Sequence, residues 1–400
     1  MDPYHETGNI RVYHGSCEEV LAALDLSVSA VVTDPPYGLA FMGRDWDDFE
    51  PREYQQFCEG WAASVRESMR PGAPLLAFSG TRTFHRAICG IEDAGFTVKD
   101  CLSWTYGSGL PKSHDISKAI EKAAGAEREV VGENQWAGQN GTENTNTYGD
   151  AGRAPETAPA TDEAERWDGY GTALAPSWEP ICYATNPREN TYAENAQEHG
   201  VAGLNIDGGR IETEEDLSFS TANPDDSTRY GDSRTKGNEQ HDGGRWPANV
   251  VLDEVAAEQL DGQSGVLESG GLKPSHADNN RQDKYGEFSG GNQRNGNWEA
   301  NSGSASRFFY TAKASSSDRN AGLPDGREND WPTVKPTDLM GWLLRLVEMP
   351  SDNLILDPFA GSGTTAYVAQ QMGLPCVAID QSEEACELTK ERLSTPSLFS

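Results

Sequence analysis

Asp34-Pro35-Pro36-Tyr37 brings together a carboxylate, two rings that fix the backbone and an aromatic side chain. The prolines lock φ and carry no N–H, so the turn leaves the Asp34 carboxylate and the Pro35 carbonyl as two rigid acceptors. An aromatic amine needs such a pair, because its lone pair is delocalised into the ring and is a poor nucleophile. Two acceptors can take both N–H protons, pyramidalise the nitrogen and aim the lone pair at an electrophilic methyl group, which is largely a matter of positioning. Tyr37 adds a face on which a flipped base can stack. The plain alternative is a surface turn, since Asp-Pro is common in turns.

A second segment, Asp357-Pro358-Phe359-Ala360-Gly361-Ser362-Gly363-Thr364-Thr365, has the pattern of a nucleoside-binding turn. Gly361 and Gly363 let a ligand approach the backbone and open the following helix. The Gly-x-Gly-x-x-Gly fingerprint stops at Ala366, and no Lys is present for a triphosphate, so this is not a P-loop. Asp357 precedes the turn, and Asp380 ends the next apolar run, placed to accept from ribose hydroxyls.

Both segments follow apolar runs that read as buried parallel strands, Ala30-Val31-Val32 and Leu354-Ile355-Leu356. Before residue 125, strands are expected at Ile10 to Tyr13, Val28 to Val32, Leu75 to Phe78 and Phe96 to Trp104. Helices are expected at Cys17 to Leu24, Tyr54 to Met69 and Phe84 to Ala94, the last closed by Gly95. This alternation favours an open, mostly parallel α/β sheet. Residues 132 to 170, 212 to 245 and 262 to 305 are polar and Gly/Asn-rich and read as loops. Ordered islands, Trp178 to Thr185, Gly203 to Ile211 and Trp246 to Leu252, suggest an irregular β-containing middle region. From Arg307 onward order returns. A helix is expected over Thr337 to Val347, then strand Leu354 to Leu356, helix Thr364 to Met372, strand Cys376 to Ile379 and helix Ser382 to Leu393.

The two segments and their order resemble the adenine-N6 and cytosine-N4 DNA methyltransferases. The tetrapeptide comes 357 − 34 = 323 residues before the glycine loop, an order that matches the β class. The resemblance extends to Trp104 to Lys112, Gly171 to Ile181, Gly203 to Asp207, Arg245 to Asn249 and Arg307 to Lys313, which are similar to phage and prophage-like members. It implies a Rossmann-like methyltransferase fold in circularly permuted order, with helices on both faces and an inserted recognition domain. The expected units are a catalytic half (1–131), a flexible insertion (132–170), a target-recognition region (171–306) and a cofactor half (307–400). The implied cofactor is S-adenosyl-L-methionine. Asp357 and the loop residues Phe359, Ala360, Gly361, Gly363 and Thr364 would surround it, with Asp380 on the ribose. Lys335 and Pro336, in Thr333-Val334-Lys335-Pro336, resemble the segment that closes over its methionine end. Asp34, Pro35, Pro36 and Tyr37 would be catalytic, acting on double-stranded DNA. Cytosine-N4 enzymes usually begin the tetrapeptide with Ser, so Asp34 favours adenine; cytosine-N4 transfer and a catalytically inactive nucleic-acid-binding relative are the alternatives. A homodimer and a partner restriction endonuclease are further expectations. Three positions depart from the family pattern: Trp331 replaces a usual His, Ala175 a Lys, and Ser16 an acid near the cofactor.

The bulk composition is compatible with this. There are 64 acidic and 32 basic residues, a net charge of 64 − 32 = 32 negative, spread along the chain rather than gathered in a tail. Such a surface suits a salt-loving organism, where carboxylates keep a protein hydrated. At molar salt, counterion release contributes little, so acidity does not exclude DNA. Seven cysteines (Cys17, Cys58, Cys89, Cys101, Cys182, Cys376 and Cys386) form no Cys-x-x-Cys pair, which predicts reduced thiols and no metal. With no signal peptide and no apolar run long enough to span a bilayer, a cytoplasmic protein is expected.

Overall fold

The computed structural model describes residues 1–39, 47, 49–107, 109, 113–133, 155–213, 244–269, 301–313 and 316–394. Parts of the three expected loop regions (134–154, 214–243 and 270–300) and Leu110 to Lys112 lie outside the described residues.

In chain order the elements are β1 (His5–Thr7), β2 (Ile10–His14), α1 (Cys17–Ala22), β3 (Ala30–Thr33), α2 (Pro51–Ser68), β4 (Pro74–Phe78), α3 (Phe84–Asp93) and β5 (Thr97–Thr105). The middle supplies α4 (Ile116–Ala124), β6 (Glu129–Glu133), β7 (Pro155–Ala158), α5 (Asp162–Arg166), β8 (Trp178–Thr185), α6 (Tyr192–His199), β9 (Val250–Asp253), α7 (Glu254–Ser264), β10 (Leu267–Ser269) and β11 (Asn301–Gly303). The last part holds β12 (Tyr310–Ala312), α8 (Ser316–Arg319), α9 (Thr337–Val347), β13 (Ile355–Asp357), α10 (Thr364–Met372), β14 (Cys376–Asp380) and α11 (Glu383–Leu393).

Ten strands make one sheet in the order β1-β2-β14-β13-β3-β4-β8-β5-β9-β12. Pairing is parallel except at β1 and at β8, which runs antiparallel to both β4 and β5. The strands are apolar on both sides, as a doubly covered sheet demands. Ala30 and Val32 of β3 face the layer containing α9 and α10, whereas Val31 faces the layer containing α1 and α2. Leu76 and Leu75 of β4 divide in the same way. The sheet is thus mostly parallel, with helices on both faces.

Helix ends follow ordinary chemistry. Ser382 caps α11 by accepting from the Ala385 amide, and Gly373 ends α10 at φ 72°. Along α9, Leu339, Met340, Leu343, Leu344 and Val347 are buried against the sheet.

Three features of the middle region refine the expectation. It contributes to the sheet that the two halves share: β8 and β9, which lie within 171–306, are strands of the main sheet. The ordered island Gly203 to Ile211 is a series of turns docked on α9. There the Trp342 indole donates to the Gly209 carbonyl (3.0 Å), and a Cβ on Gly209 would meet Leu346 at 2.3 Å. Finally, residues 155–170, expected as loop, contain β7 and α5. These pack with α4 around buried Glu121, which accepts from Arg128 (2.5 Å) and from the Ala160 and Thr161 amides. Among the described residues no helix is long and apolar enough to cross a membrane.

Candidate active site

The sheet order places the two sequence segments side by side. In β3 and β13, Ala30 pairs with Ile355 and Val31 with Leu356, so Asp34 and Asp357 leave adjacent parallel strands at the same edge. That carboxyl edge is where open α/β sheets bind ligands. Thr33 seals the junction by donating its hydroxyl to Asp357 Oδ1 (2.8 Å) across 324 residues of sequence. β14 ends at Asp380 on the far side of β13. Because β8 runs the other way, its first residues, Trp178 and Glu179, reach this edge too.

The tetrapeptide turn is held from three sides. Tyr54 of α2 donates to the Pro36 carbonyl (2.9 Å), and Thr83 donates to the Tyr37 carbonyl (2.6 Å). The Asp47 carboxylate accepts from the Gly38 and Leu39 amides. Gly38 has φ 64°, and a Cβ there would lie 2.7 Å from the Tyr54 ring, so the turn needs glycine. These bonds leave the Pro35 carbonyl without a donor among the described residues. Asp34 Oδ1 is buried and likewise without a partner.

Asp34 Oδ2 accepts from Lys335 Nζ at 2.6 Å. The same ammonium lies 3.4 Å from Glu179 Oε2, which also accepts from the Tyr37 hydroxyl at 2.9 Å. The ammonium stands 5.4 Å from the Tyr37 ring centroid and 5.0 Å from that of Phe78. Burial alone would lower the Lys335 pKa, but Asp34 and Glu179 outweigh it and raise it, so the side chain stays charged. Burial, then the charges of Asp34 and Glu179, push the Tyr37 phenol well above its usual range, so it remains a donor.

Beside this cluster lies the glycine loop. Gly361 (φ 52°) and Gly363 (φ 77°) are left-handed, and α10 begins directly after them. The Asp380 carboxylate accepts from the Gly361 and Ser382 amides, each at 2.8 Å, which ties loop to strand end. Burial raises the Asp380 pKa; burial likewise lifts Asp357 from 3.8 to about 6. From α11, Arg392 donates to the Ser362 carbonyl (3.1 Å) and the Thr364 hydroxyl (2.9 Å). Burial draws its own pKa down to about 10. A strap over 319–335 crosses the loop: Asn329 donates to the Ser362 hydroxyl, Arg319 to the Trp331 carbonyl, and a Cβ on Gly361 would lie 2.9 Å from the Trp331 indole nitrogen.

The structure therefore brings Asp34, Pro35, Pro36, Tyr37, Asp357, Ala360, Gly361, Gly363, Thr364 and Asp380 to one edge. Phe359 turns its ring away, against Trp61 (5.6 Å) and Phe57 of α2 (6.0 Å). Lys335, expected over the cofactor, is bound to Asp34, while Pro336 caps α9. Ser16 caps α1 through the Glu19 amide. Glu179 was not singled out by sequence reasoning, although it lies in a family-like stretch; only the antiparallel course of β8 reveals its place.

The profile of a family described as DNA methylase matches residues 28–391. The type II methyltransferase M.HindIII of Haemophilus influenzae is 29% identical over 92 residues, covering 23% of this chain and 28% of that protein. M.ScaI of Streptomyces caespitosus is 24% identical over 129 residues, covering 30% and 41%. The chain thus spans less than half the length of these curated relatives. Among solved structures, the PvuII DNA methyltransferase (cytosine-N4-specific) aligns over 98% of this chain and 89% of its own, at 13% identity and a TM-score of 0.47. The M1.HpyAVI–SAM complex aligns over 96% and 100%, at 13% identity and a TM-score of 0.41.

Proposed function

The chain belongs to the DNA methylase family, and from that premise we propose that it transfers a methyl group from S-adenosylmethionine to the exocyclic N6 of an adenine flipped out of double-stranded DNA. The observation that carries this reading is the pair of open acceptors in the tetrapeptide turn, the buried, unpartnered Asp34 Oδ1 and the Pro35 carbonyl.

S-adenosylmethionine, when bound, supplies an electrophilic sulfonium methyl. The residues at the loop suit a nucleoside of this kind: left-handed Gly361 and Gly363 keep the backbone bare, and Asp380 is rigidly held beside them. Asp357, Gly361, Gly363, Thr364 and Asp380 would hold it. In the reaction Asp34 Oδ1 and the Pro35 carbonyl accept the two N–H bonds of the target amine and turn its lone pair toward the methyl. Tyr37 supports the base from below, and its hydroxyl is fixed by Glu179. After transfer the amine carries one proton too many, and Asp34 is the carboxylate placed to receive it.

Adenine is favoured over cytosine by the Asp that opens the tetrapeptide. The test is labelled S-adenosylmethionine with DNA at molar salt, followed by mass spectrometry of the nucleosides. N6-methyladenine is expected. N4-methylcytosine would overturn the choice of base, and no methylated nucleoside would overturn the reading itself. Asp34→Ala is expected to abolish transfer and to leave cofactor binding largely intact.

A further inference from the structure

Three segments distant in sequence converge on one ammonium. Lys335 enters from the strap before α9, Asp34 from the end of β3 and Glu179 from the start of β8. The contacts are unequal: 2.6 Å to Asp34 Oδ2 and 3.4 Å to Glu179 Oε2, a difference of 3.4 − 2.6 = 0.8 Å. Lys335 is 9% exposed, so water offers it little alternative. Two carboxylates share one cation, which leaves one negative charge in excess, and the unpartnered Asp34 Oδ1 is where that excess stands open.

A target amine brings an N–H donor to the open Asp34 Oδ1 and shares the carboxylate's charge with Lys335 on Oδ2. The ammonium sits on a flexible four-carbon stem, and a second carboxylate lies within a short swing of it. Glu179 also holds the Tyr37 hydroxyl, so its position and that of the stacking ring are fixed together.

We propose that Glu179 is a positioning residue that takes over Lys335 when the target amine engages Asp34, leaving the Asp34 carboxylate to the amine. The proposal rests on the methylation reading above. Without Glu179 the ammonium has a single carboxylate to serve and stays on Asp34 Oδ2, drawing charge away from the Oδ1 that the amine engages.

The test is a double-mutant cycle in the full-length protein, comparing parent, Glu179→Gln, Lys335→Met and the double variant. Cofactor affinity is read by calorimetry, and KM for DNA and kcat by methyl transfer. Glu179→Gln is expected to keep cofactor affinity within about twofold while kcat falls at least about tenfold. The double variant is expected to lose no more than Lys335→Met alone, since the two residues act as one device. Glu179→Asp, which keeps the charge at shorter reach, is expected to recover part of kcat. It also decides the matter should Glu179→Gln fail to bind cofactor. A Glu179→Gln kcat within about twofold of the parent, or losses that multiply in the double variant, would overturn the inference. If the parent itself methylates no DNA, the functional reading falls instead, so the two failures are distinct.

Discussion

Asp357→Asn is expected to make the cofactor-free protein more stable, and by an amount that depends on pH. Asp357 is 2% exposed, and burial raises its carboxyl from 3.8 to about 6. The folded pKa lies above the unfolded one, so this group's contribution to stability is fully present below pH 3.8 and is lost as pH rises through 6. Integrating the two titrations gives a cost of about 3 kcal/mol at about pH 7.5 and about 1.6 kcal/mol at about pH 5. Asparagine has the same shape and no charge to bury. Its Oδ1 keeps the donors Thr33 and Phe359, and the Thr365 hydroxyl beside it is an acceptor for the new amide. Any imperfection in that new bond subtracts a constant of about 1 kcal/mol at both pH values. The difference between the two gains, about 1.4 kcal/mol, is free of that constant and is the quantity to measure. Denaturant unfolding of parent and variant at the two pH values, without cofactor and at fixed salt, measures it. Because the group is buried, salt screens this effect far less than it screens the surface charges. A gain equal at both pH values, or a uniform loss, would show that Asp357 is not held as a desolvated carboxylate.

Gly363→Ala places a Cβ 2.5 Å from Thr389 on a backbone at φ 77°. The left-handed strain alone is about 1–2 kcal/mol, and a fall in cofactor affinity of at least about tenfold by calorimetry is expected with it. Arg392→Leu leaves the Ser362 and Ala321 carbonyls and the Thr364 hydroxyl without their donor. A stability loss of about 2 kcal/mol or more in denaturant unfolding is expected, with weaker cofactor binding. Tyr54→Phe removes the bond to the Pro36 carbonyl. Stability should fall by about 1 kcal/mol, and kcat should drop while cofactor affinity, measured separately, holds.

The parts of the fold legible in the sequence were those carried by local pattern. α9 and α10 match the expected spans Thr337–Val347 and Thr364–Met372, because apolar periodicity and flanking glycine or proline mark their ends. β8 was visible as an apolar island at Trp178–Thr185, but not its place between β4 and β5, since pairing partners from 178 − 105 = 73 to 185 − 74 = 111 residues away leave no local trace. α6 carries readable signals, the capping box of Thr191 and Glu194 and the terminal Gly200, yet only Asn195 is buried along it. An apolar stripe is therefore absent, and the stripe was the guide. At the site, Asp34 and Asp357 were legible because each stands at the end of a buried apolar run. Glu179, Tyr54 and Thr83 were not, because what they do depends on which strand lies beside which. Lys335 was legible as part of a motif, but its partner was not, since 301 residues separate it from Asp34.

The pairing of β3 with β13 and of β2 with β14 has a consequence in time as well as space. A ribosome makes the tetrapeptide turn first and the glycine-loop segment 323 residues later (357 − 34). Until then β3 lacks one neighbour, and Thr33 has no Asp357 to bond. Long-range pairing of this kind is slow to form and leaves strand edges open meanwhile. A chain stopped before β13 would hold its tetrapeptide turn with no glycine loop beside it. This edge of the sheet is therefore complete only once β13 and β14 have been made.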